Sequence, residues 1–473
     1  MADVPVPYVD VRPAAERARV GERFFTWPRT LAVAVFLLFA FSFEDGRVHD
    51  DGVVYYDFLR RVFGAHNGGV AYQFGSAVWS APFYLISWPI AVRGQFDRFV
   101  AGQVAVTLAA NAAVVAALYF GWLILRELDL PRGAAVLLLT LFGTPLWFYG
   151  ALVTSYKHAA DALYATVAFW FLQRSIRPDA RRRDYVAAGA LLGLLVVTRY
   201  ANAAIAVSVL ALLVLFGYRR ASRWMLSAAA VAALLLVMVP VIRHIPYATP
   251  PPNTYGIGST PRDAPAFLAQ GEYRVAAGSL VSVDPVLKNH QIELGAPFKM
   301  LFTIHRGLFV WTPLTVFATI GFVLLLIRER RHPQREFVII LGVAALALLL
   351  IHAIWGKAWD GGESFSQRFL TALFPFFLVG TAEFLRRARG WGVGVLLLCV
   401  TWSLWLGLVQ WNGYYDRQVD DGIYPMIENF HSITGPATNR YRKPPPYDSL
   451  QNFGRQMGDR ISGRWRFYWR LVS

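Results

Sequence analysis

Two adjacent carboxylates, Asp50 and Asp51, stand in the sequence VHDDGVVYYDF just after the first long apolar run. A carboxylate held beside a hydroxyl can take its proton as the oxygen attacks, so this pair is a candidate general base. It can also stabilise positive charge that develops on a reacting carbon. Two other interpretations stay open: both acids are solvated loop residues, or one of them caps a helix over 53–63.

A second group of candidates is basic and lies at the ends of later apolar runs. These residues are Lys157, His158, Arg199, His305, Arg306, Lys357 and Arg368. Ionisable groups at such a membrane depth are costly and usually have a partner. The phosphate of a lipid-linked substrate lies at this depth, and Arg and Lys bind phosphate and stabilise it as it leaves. Alternatively, the cations extend to lipid headgroups or form ion pairs with Asp161, Asp360 and Glu363.

The segment WGKAWDGGESFSQRFL, residues 355–370, offers ring faces and polar groups for a substrate. Its two glycines, Gly361 and Gly362, allow the backbone to turn tightly or to approach a ligand closely. An aromatic belt at the membrane interface is the competing explanation for its tryptophans. The candidate substrate-binding residues are Tyr55, Trp359, Asp360, Glu363 and His305.

The composition shows what kind of scaffold must position these residues. Of 473 residues, 56% are hydrophobic and 16% are charged, whereas soluble domains are about 25% charged. Apolar runs of nearly membrane-spanning length recur along the chain, which predicts an all-α polytopic membrane protein. The net charge of +16 fits cytoplasmic loops that face anionic lipid better than nucleic-acid binding. The single cysteine, Cys399, excludes an intramolecular disulfide.

Hydropathy and charge together predict eleven transmembrane helices, with the N-terminus inside and the C-terminus outside. The predicted spans are 25–43, 99–125, 133–151, 158–173, 185–198, 200–217, 224–242, 308–327, 337–355, 369–385 and 391–411. Every short arginine cluster falls on the inner side only if 76–92 lies at the outer interface without spanning. Residues 1–24 are then a cytoplasmic arm, 25–411 the membrane domain, and 412–473 an extracytoplasmic tail. The outer loops are 44–98, 243–307 and 356–368.

The order of five motifs, which together cover residues 50–377, resembles the GT-C superfamily of membrane glycosyltransferases. The resemblance is to the branch that holds the protein mannosyltransferases and the aminoarabinose transferase type. In chain order the motifs are HDDGVVYYDFLRRVF, YQFGSAVWSAPFYLI, GLLVVTRYANAAI, HRGLFVWTPLTVFATIGFVLLL and WDGGESFSQRFLTALFPFF.

This resemblance implies that the acid of the first outer loop, Asp51 or Asp50, is the catalytic base. It also implies amphipathic juxtamembrane helices in that loop, a polyprenyl-phosphate sugar donor and inversion at the anomeric carbon. The family commonly has Asp-Glu where this chain has Asp-Asp, so the choice between the two acids stays open. The expected ligands of the donor phosphate are Arg199, Arg306, Arg368, Lys157 and His158.

The sequence therefore predicts a glycosyltransferase at the outer face of a bacterial-type plasma membrane. Its expected partners are the donor, membrane lipids and a glycan, lipid or protein acceptor of the cell envelope, with no nucleic acid. No metal site is assigned, although Asp50, Asp51 and Asp57 have the oxygen ligands that a divalent ion would need. The alternatives are a transporter or flippase of a lipid-linked precursor, and a lipid-binding scaffold without activity. Transport is disfavoured because the mid-span polar residues are few and uncharged.

Overall fold

The computed structural model describes residues 27–43, 46, 48, 51–64, 71, 73–93, 98–245, 294–303, 306–328, 334–352 and 364–413. In this part of the chain the secondary structure is helical. The α-helices are α1 (Trp27–Leu38), α2 (Asp51–Val62), α3 (Gly75–Arg93), α4 (Arg98–Glu127), α5 (Ala134–Phe142), α6 (Leu146–Ala151), α7 (His158–Ser175), α8 (Arg182–Thr198), α9 (Ala203–Leu215), α10 (Arg219–Ile242), α11 (Ala296–Phe302), α12 (Leu308–Trp311), α13 (Leu314–Arg328), α14 (Arg335–Ile351) and α15 (Phe374–Gly413).

Each predicted span overlaps a helix, and two of the spans are interrupted. The span 133–151 is divided between α5 and α6 close to Pro145, and 308–327 is divided between α12 and α13 close to Pro313. Proline lacks a backbone N–H and its ring disfavours a continuing helix before it. Among the described residues, four helices are long and apolar enough to cross a membrane: Ala101–Glu127, Arg219–Ile242, Arg368–Ala388 and Gly390–Leu408. The count of eleven spans stays a prediction.

Helix α15 contains two of the predicted spans and reverses direction between them. A straight helix would place its two ends roughly 60 Å apart. However, the ring of Phe365, just before α15, lies 6.0 Å from the Trp147 ring, and Gly407 near the end of α15 also packs on Trp147. Trp402 donates to the carbonyl of Val310 in α12, just before α13, at 2.8 Å. Arg387 donates to the carbonyl of Leu324, near the last residue of α13. The chain therefore forms a hairpin within α15.

The predicted inner turns meet at one end of the bundle, which we call the arginine-rich end. Arg177 pairs with Glu127 and joins the turn after α7 to the end of α4. The Tyr218 hydroxyl donates to Glu336 at 2.6 Å and lies 3.3 Å from the Ile176 carbonyl oxygen. These contacts bring four turns together, as expected if they share one side of a membrane.

The first outer loop contains two helices, α2 and α3. Trp79 of α3 donates to the Ala109 carbonyl of α4 at 2.7 Å, and Tyr84 lies against Gly102, so α3 runs antiparallel to the start of α4. The exposed large side chains of α3 are apolar: Val78, Leu85, Ile86 and Trp88. The prediction that this helix is amphipathic is therefore not met, because its outward surface suits lipid contact along much of its length.

Helix α2 is held at the end opposite to the arginine-rich end by a small aromatic core. Phe58 stacks on Phe74 with ring centroids 4.5 Å apart, and Tyr56 packs edge-on against Tyr84. Ile245, which follows α10, is buried in the same core. Arg60 and Arg61 of α2 remain half-exposed, which gives this helix the amphipathic pattern that α3 lacks.

Candidate functional site

Six of the predicted site residues come together at the end of the bundle opposite to the arginine-rich end. The arrangement begins at the short turn between α6 and α7. Tyr149 and Tyr156 stack with ring centroids 6.0 Å apart, and both rings contact the buried imidazole of His158. Arg199, Arg368 and Lys157 all lie near this imidazole.

Arg199 stands where the chain leaves helical geometry between α8 and α9. Its backbone is extended, with φ −153° and ψ 122°, and a 3₁₀ turn over Tyr200–Asn202 follows. Its guanidinium lies 3.6 Å from the Asp161 carboxylate, donates to the Arg368 carbonyl at 3.3 Å and covers the Phe369 ring at 4.5 Å. Asn202 donates to the other Asp161 oxygen at 2.8 Å. The possibility that an outer cation pairs with Asp161 is thus realised for Arg199.

Arg368 and Arg306 approach the same centre from two loops. The Arg368 guanidinium lies 5.5 Å from the Tyr156 ring centroid. Arg306 donates to the Ser364 hydroxyl at 3.4 Å, and Gln367 donates to the Arg306 carbonyl at 3.1 Å. The loop just before Arg368 is fixed by Tyr149, whose hydroxyl accepts a hydrogen bond from the Phe365 N–H at 2.9 Å. Both arginines are buried.

Lys157 links this cluster to the first outer loop. Its ammonium donates to the Gln73 side chain and lies 5.2 Å from the Tyr55 ring centroid on α2. Gln73 and Ser366 both have left-handed backbone, with φ 46° and 49°. A non-glycine residue in this conformation is strained by about 1–3 kcal/mol, and such strain is concentrated at functional sites.

The first turn of α2 packs directly against the turn that carries Lys157. A Cβ added at Gly52 would come within 2.8 Å of the Ser155 carbonyl oxygen, so the two backbones are in contact. Asp51 is the first residue of α2 and immediately precedes this contact. Asp50 lies outside the described residues. The backbone of Asp51 is therefore placed beside the turn that carries Lys157.

Four of these cations are buried near one another. We call the set Lys157, Arg199, Arg306 and Arg368 the basic cluster; its four members are each at most 8% exposed. Asp161 is a described carboxylate that lies beside Arg199, and it is fully buried. Guanidinium and ammonium groups held in this way can bind a phosphate or a similar anion.

Four more predicted site residues lie outside the described residues: His305, Trp359, Asp360 and Glu363. Among the described residues, no three His, Cys, Asp or Glu side chains are grouped to hold a metal ion. Asp57 lies six residues after Asp51, about 9 Å along the helix axis, and pairs with Arg60 at 3.2 Å.

Several residues of the cluster were missed by sequence reasoning. Tyr149, Phe369 and His352 lie inside or beside apolar runs, where aromatic residues are expected for packing alone. His352 stacks on the Phe369 ring at 5.3 Å. Gln73 gives no signal beyond a polar residue in an aromatic segment. Tyr156 stands next to Lys157, so adjacency to a candidate was the one available indication.

A small cleft lies beside the cluster, between α2, α3, α4 and the start of α7. Its lining includes Tyr55 and Tyr156, whose rings lie near Lys157 and Arg368, together with Trp79, Ala110 and Ser155. Both apolar and hydroxyl side chains line this cleft. The basic cluster thus adjoins a space between the helices of the first loop and the bundle.

No family model and no curated protein matches the chain. Among solved structures, it is similar to ArnT from Cupriavidus metallidurans, whose crystal structure contains undecaprenyl phosphate. The TM-score is 0.48 at 16% identity, over 92% of this chain and 78% of that chain. It is also similar to the archaeal oligosaccharyltransferase AglB from Archaeoglobus fulgidus, in complex with an inhibitory peptide and a dolichol-phosphate. There the TM-score is 0.47 at 13% identity, over 92% of this chain and 63% of that chain.

Proposed function

We propose that this protein is a glycosyltransferase that moves a sugar from a polyprenyl-phosphate donor to an acceptor hydroxyl. The observation that supports the proposal is the buried basic cluster, which gathers four cations from separate segments beside the first turn of α2. A phosphate that enters from the membrane surface fits these guanidinium and ammonium groups, and the backbone of Asp51, one candidate base, begins that turn. The proposed acceptor is a glycan, lipid or protein of the cell envelope.

In the proposed reaction, the basic cluster binds the donor phosphate and stabilises the charge it acquires. The bond between the anomeric carbon and the phosphate oxygen breaks, and the polyprenyl phosphate leaves with the electron pair. The acceptor oxygen forms a new bond from the opposite face, which inverts the anomeric carbon. Asp51 or Asp50 takes the hydroxyl proton. Preformed cations in a buried site stabilise a leaving phosphate more strongly than water would.

The position of the cluster supports activity at the outer face of a bacterial-type plasma membrane. The predicted inner turns meet at the arginine-rich end, and the basic cluster lies at the other end of the same helices. Arginine-rich turns face the cytoplasm in most membrane proteins. A donor would then be used after its sugar has been presented on the extracytoplasmic side.

A transport function is less well supported by the interior of the bundle. The mid-span hydroxyls of Thr107 and Thr140 donate to carbonyls within their own helices, and Asn111 donates to the Gly150 carbonyl. Asn202 donates to Asp161, and Ser208 donates to Ile205. These groups serve internal packing, whereas a transport route requires polar groups that line a path between the two faces.

The test is sugar transfer by purified protein from labelled polyprenyl-phosphate sugar to a cell-envelope acceptor fraction. Asp50→Asn, Asp51→Asn and the double variant are compared with exposed Asp129→Asn as the control. Loss of a general base should slow transfer by about 10²–10⁴-fold in at least one single variant and in the double. Transfer by the double variant at the wild-type rate would show that the first-loop acids are not the base.

A further inference from the structure

A second group of charges lies at the arginine-rich end, where α13 meets the hairpin of α15. The Glu383 carboxylate is fully buried and receives three guanidiniums. Arg386 donates to it at 2.6 Å and Arg387 at 2.8 Å, both from the next turn of α15. Arg328, the last residue of α13, approaches at 3.4 Å. We call these three arginines the arginine triad.

The triad presents guanidinium groups at the surface. Three bases share the single Glu383 carboxylate from its outer side. The arginine side chains are 33%, 34% and 41% exposed, while Glu383 is 0% exposed. Glu383 therefore fixes the three guanidiniums from the interior and leaves part of each available. Fixed guanidiniums lose less entropy when they bind an oxyanion than freely moving ones do.

An apolar surface leads up to the triad along α13. Ile320, Val323 and Ile327 follow the helical spacing of one face, and they are 45%, 47% and 60% exposed. The next residue is Arg328, and Trp391 beyond the hairpin is also exposed. A hydrocarbon chain fits beside such a stripe, with its charged group at the arginines. Aromatic residues such as Trp391 favour the headgroup level.

We propose that the arginine triad binds the phosphate of an anionic phospholipid in the leaflet at the arginine-rich end, with an acyl chain along the apolar stripe of α13. Charge complementarity and the continuous apolar surface below the arginines select a lipid over free phosphate. Basic pockets between membrane helices on the cytoplasmic side bind anionic headgroups in this manner. This site is separate from the basic cluster, so it does not depend on the proposed transfer reaction.

The test measures phosphatidylglycerol bound to purified protein in phosphatidylcholine nanodiscs, by native mass spectrometry after release. Wild type is compared with Arg386→Gln/Arg387→Gln and with the matched control Arg219→Gln/Arg220→Gln. The control also removes two exposed arginines at this end. Each guanidinium that the lipid phosphate contacts should contribute about fivefold to binding, so the triad variant should lose about 20- to 30-fold. The control arginines do not lie at the proposed site, so the control should lose less than about twofold.

Arg328→Gln is the second variant, because it leaves the two closest partners of Glu383 in place and is expected to fold. It should lose about fivefold in phosphatidylglycerol binding. Equal losses in the triad and control variants would mean that only the general surface charge matters and would overturn the proposal. So would displacement of the lipid by millimolar inorganic phosphate, or a wild type with no preference for phosphatidylglycerol over phosphatidylcholine.

Discussion

At the scale of single residues, Arg199 is the best-defined member of the basic cluster. Asp161, which accepts a hydrogen bond from Asn202, pairs with it on one side, and the Phe369 ring lies under its guanidinium. Arg199→Gln should weaken donor binding by about 10- to 100-fold, because a hydrogen bond to a charged group contributes about 1.5–3 kcal/mol. The KM of the acceptor should change little.

The matched control for Arg199 is Arg243→Gln, which removes an exposed arginine after α10 and should leave donor affinity unchanged. Binding of polyprenyl phosphate is measured by titration, and acceptor KM by the transfer assay. Equal losses for donor and acceptor would contradict a role for Arg199 at the phosphate.

The buried carboxyl of Asp57 predicts that the free energy of unfolding depends on pH. Burial raises the pKa of its carboxyl from 3.8 to about 6, although the Arg60 guanidinium lowers it. A raised folded-state pKa means that the native protein binds the proton more tightly than the unfolded chain. This contribution to the free energy of unfolding is therefore complete below pH 3.8 and is lost as the pH rises through 6. The full difference corresponds to about 3 kcal/mol.

Thermal unfolding in nanodiscs between pH 4 and pH 7 measures this dependence. Asp57→Asn should remove it, so that the variant gains stability relative to wild type as the pH rises. Exposed Asp129→Asn serves as the control and should follow wild type. If Asp57→Asn and wild type show parallel pH profiles, the Asp57 carboxyl does not titrate in this range.

The basic residues of the site were predictable, and so was Asp161 as a possible partner, but which of the cations pairs with Asp161 was not. Arg199 and Arg368 stand at ends of apolar runs, and the arginine pattern assigns those ends to one side of the membrane, so their common level follows from the sequence. The contact of Arg199 with Asp161 depends on how α7 packs against α8. That packing is set by side-chain shape over long separations, which periodicity does not encode.

At the scale of elements, the contact between α2 and the turn before α7 positions the backbone of Asp51. Gly52→Ala would push α2 away from Ser155, and a shift of about 1 Å at a reacting group can cost about 100-fold in rate. Transfer should therefore fall while donor binding by the basic cluster is retained. Ser155→Gly removes the side chain that a Cβ at Gly52 would also meet, so the double variant should recover part of the activity.

Gly133→Ala is the control for this experiment, since a Cβ there meets no atom within 4 Å. It should transfer sugar at the wild-type rate. Full activity in Gly52→Ala would mean that the position of α2 does not matter for catalysis.

The helices themselves followed closely from hydropathy, and the exceptions have local causes. Pro145 and Pro313 divide two predicted spans, and the hairpin within α15 falls at the arginines between the last two spans. The predicted amphipathic character failed for α3 because Leu85, Ile86 and Trp88 point outward. In a soluble protein the apolar face of a helix packs inward, but in a membrane an apolar face can also contact lipid. Apolar residues alone therefore do not show which face of α3 is buried.

At the scale of the whole molecule, the proposed function requires the basic cluster and the arginine-rich end to lie on opposite sides of the membrane. Single cysteines are introduced at exposed Arg243 and at exposed Arg183 after Cys399→Ala. An impermeant maleimide applied to intact cells should label the cysteine at 243 and reach the one at 183 only after permeabilisation. Labelling of both without permeabilisation would reject the predicted topology.

The most direct measurement is a structure of the full chain with a polyprenyl-phosphate sugar bound. We expect the phosphate oxygens within about 3 Å of guanidinium or ammonium groups of the basic cluster, and the anomeric carbon facing the first turn of α2. A carboxylate of Asp50 or Asp51 should lie within reach of an acceptor hydroxyl placed about 3–3.5 Å from that carbon. A donor phosphate bound away from Arg199 and Arg368, or a sugar directed away from α2, would contradict the account.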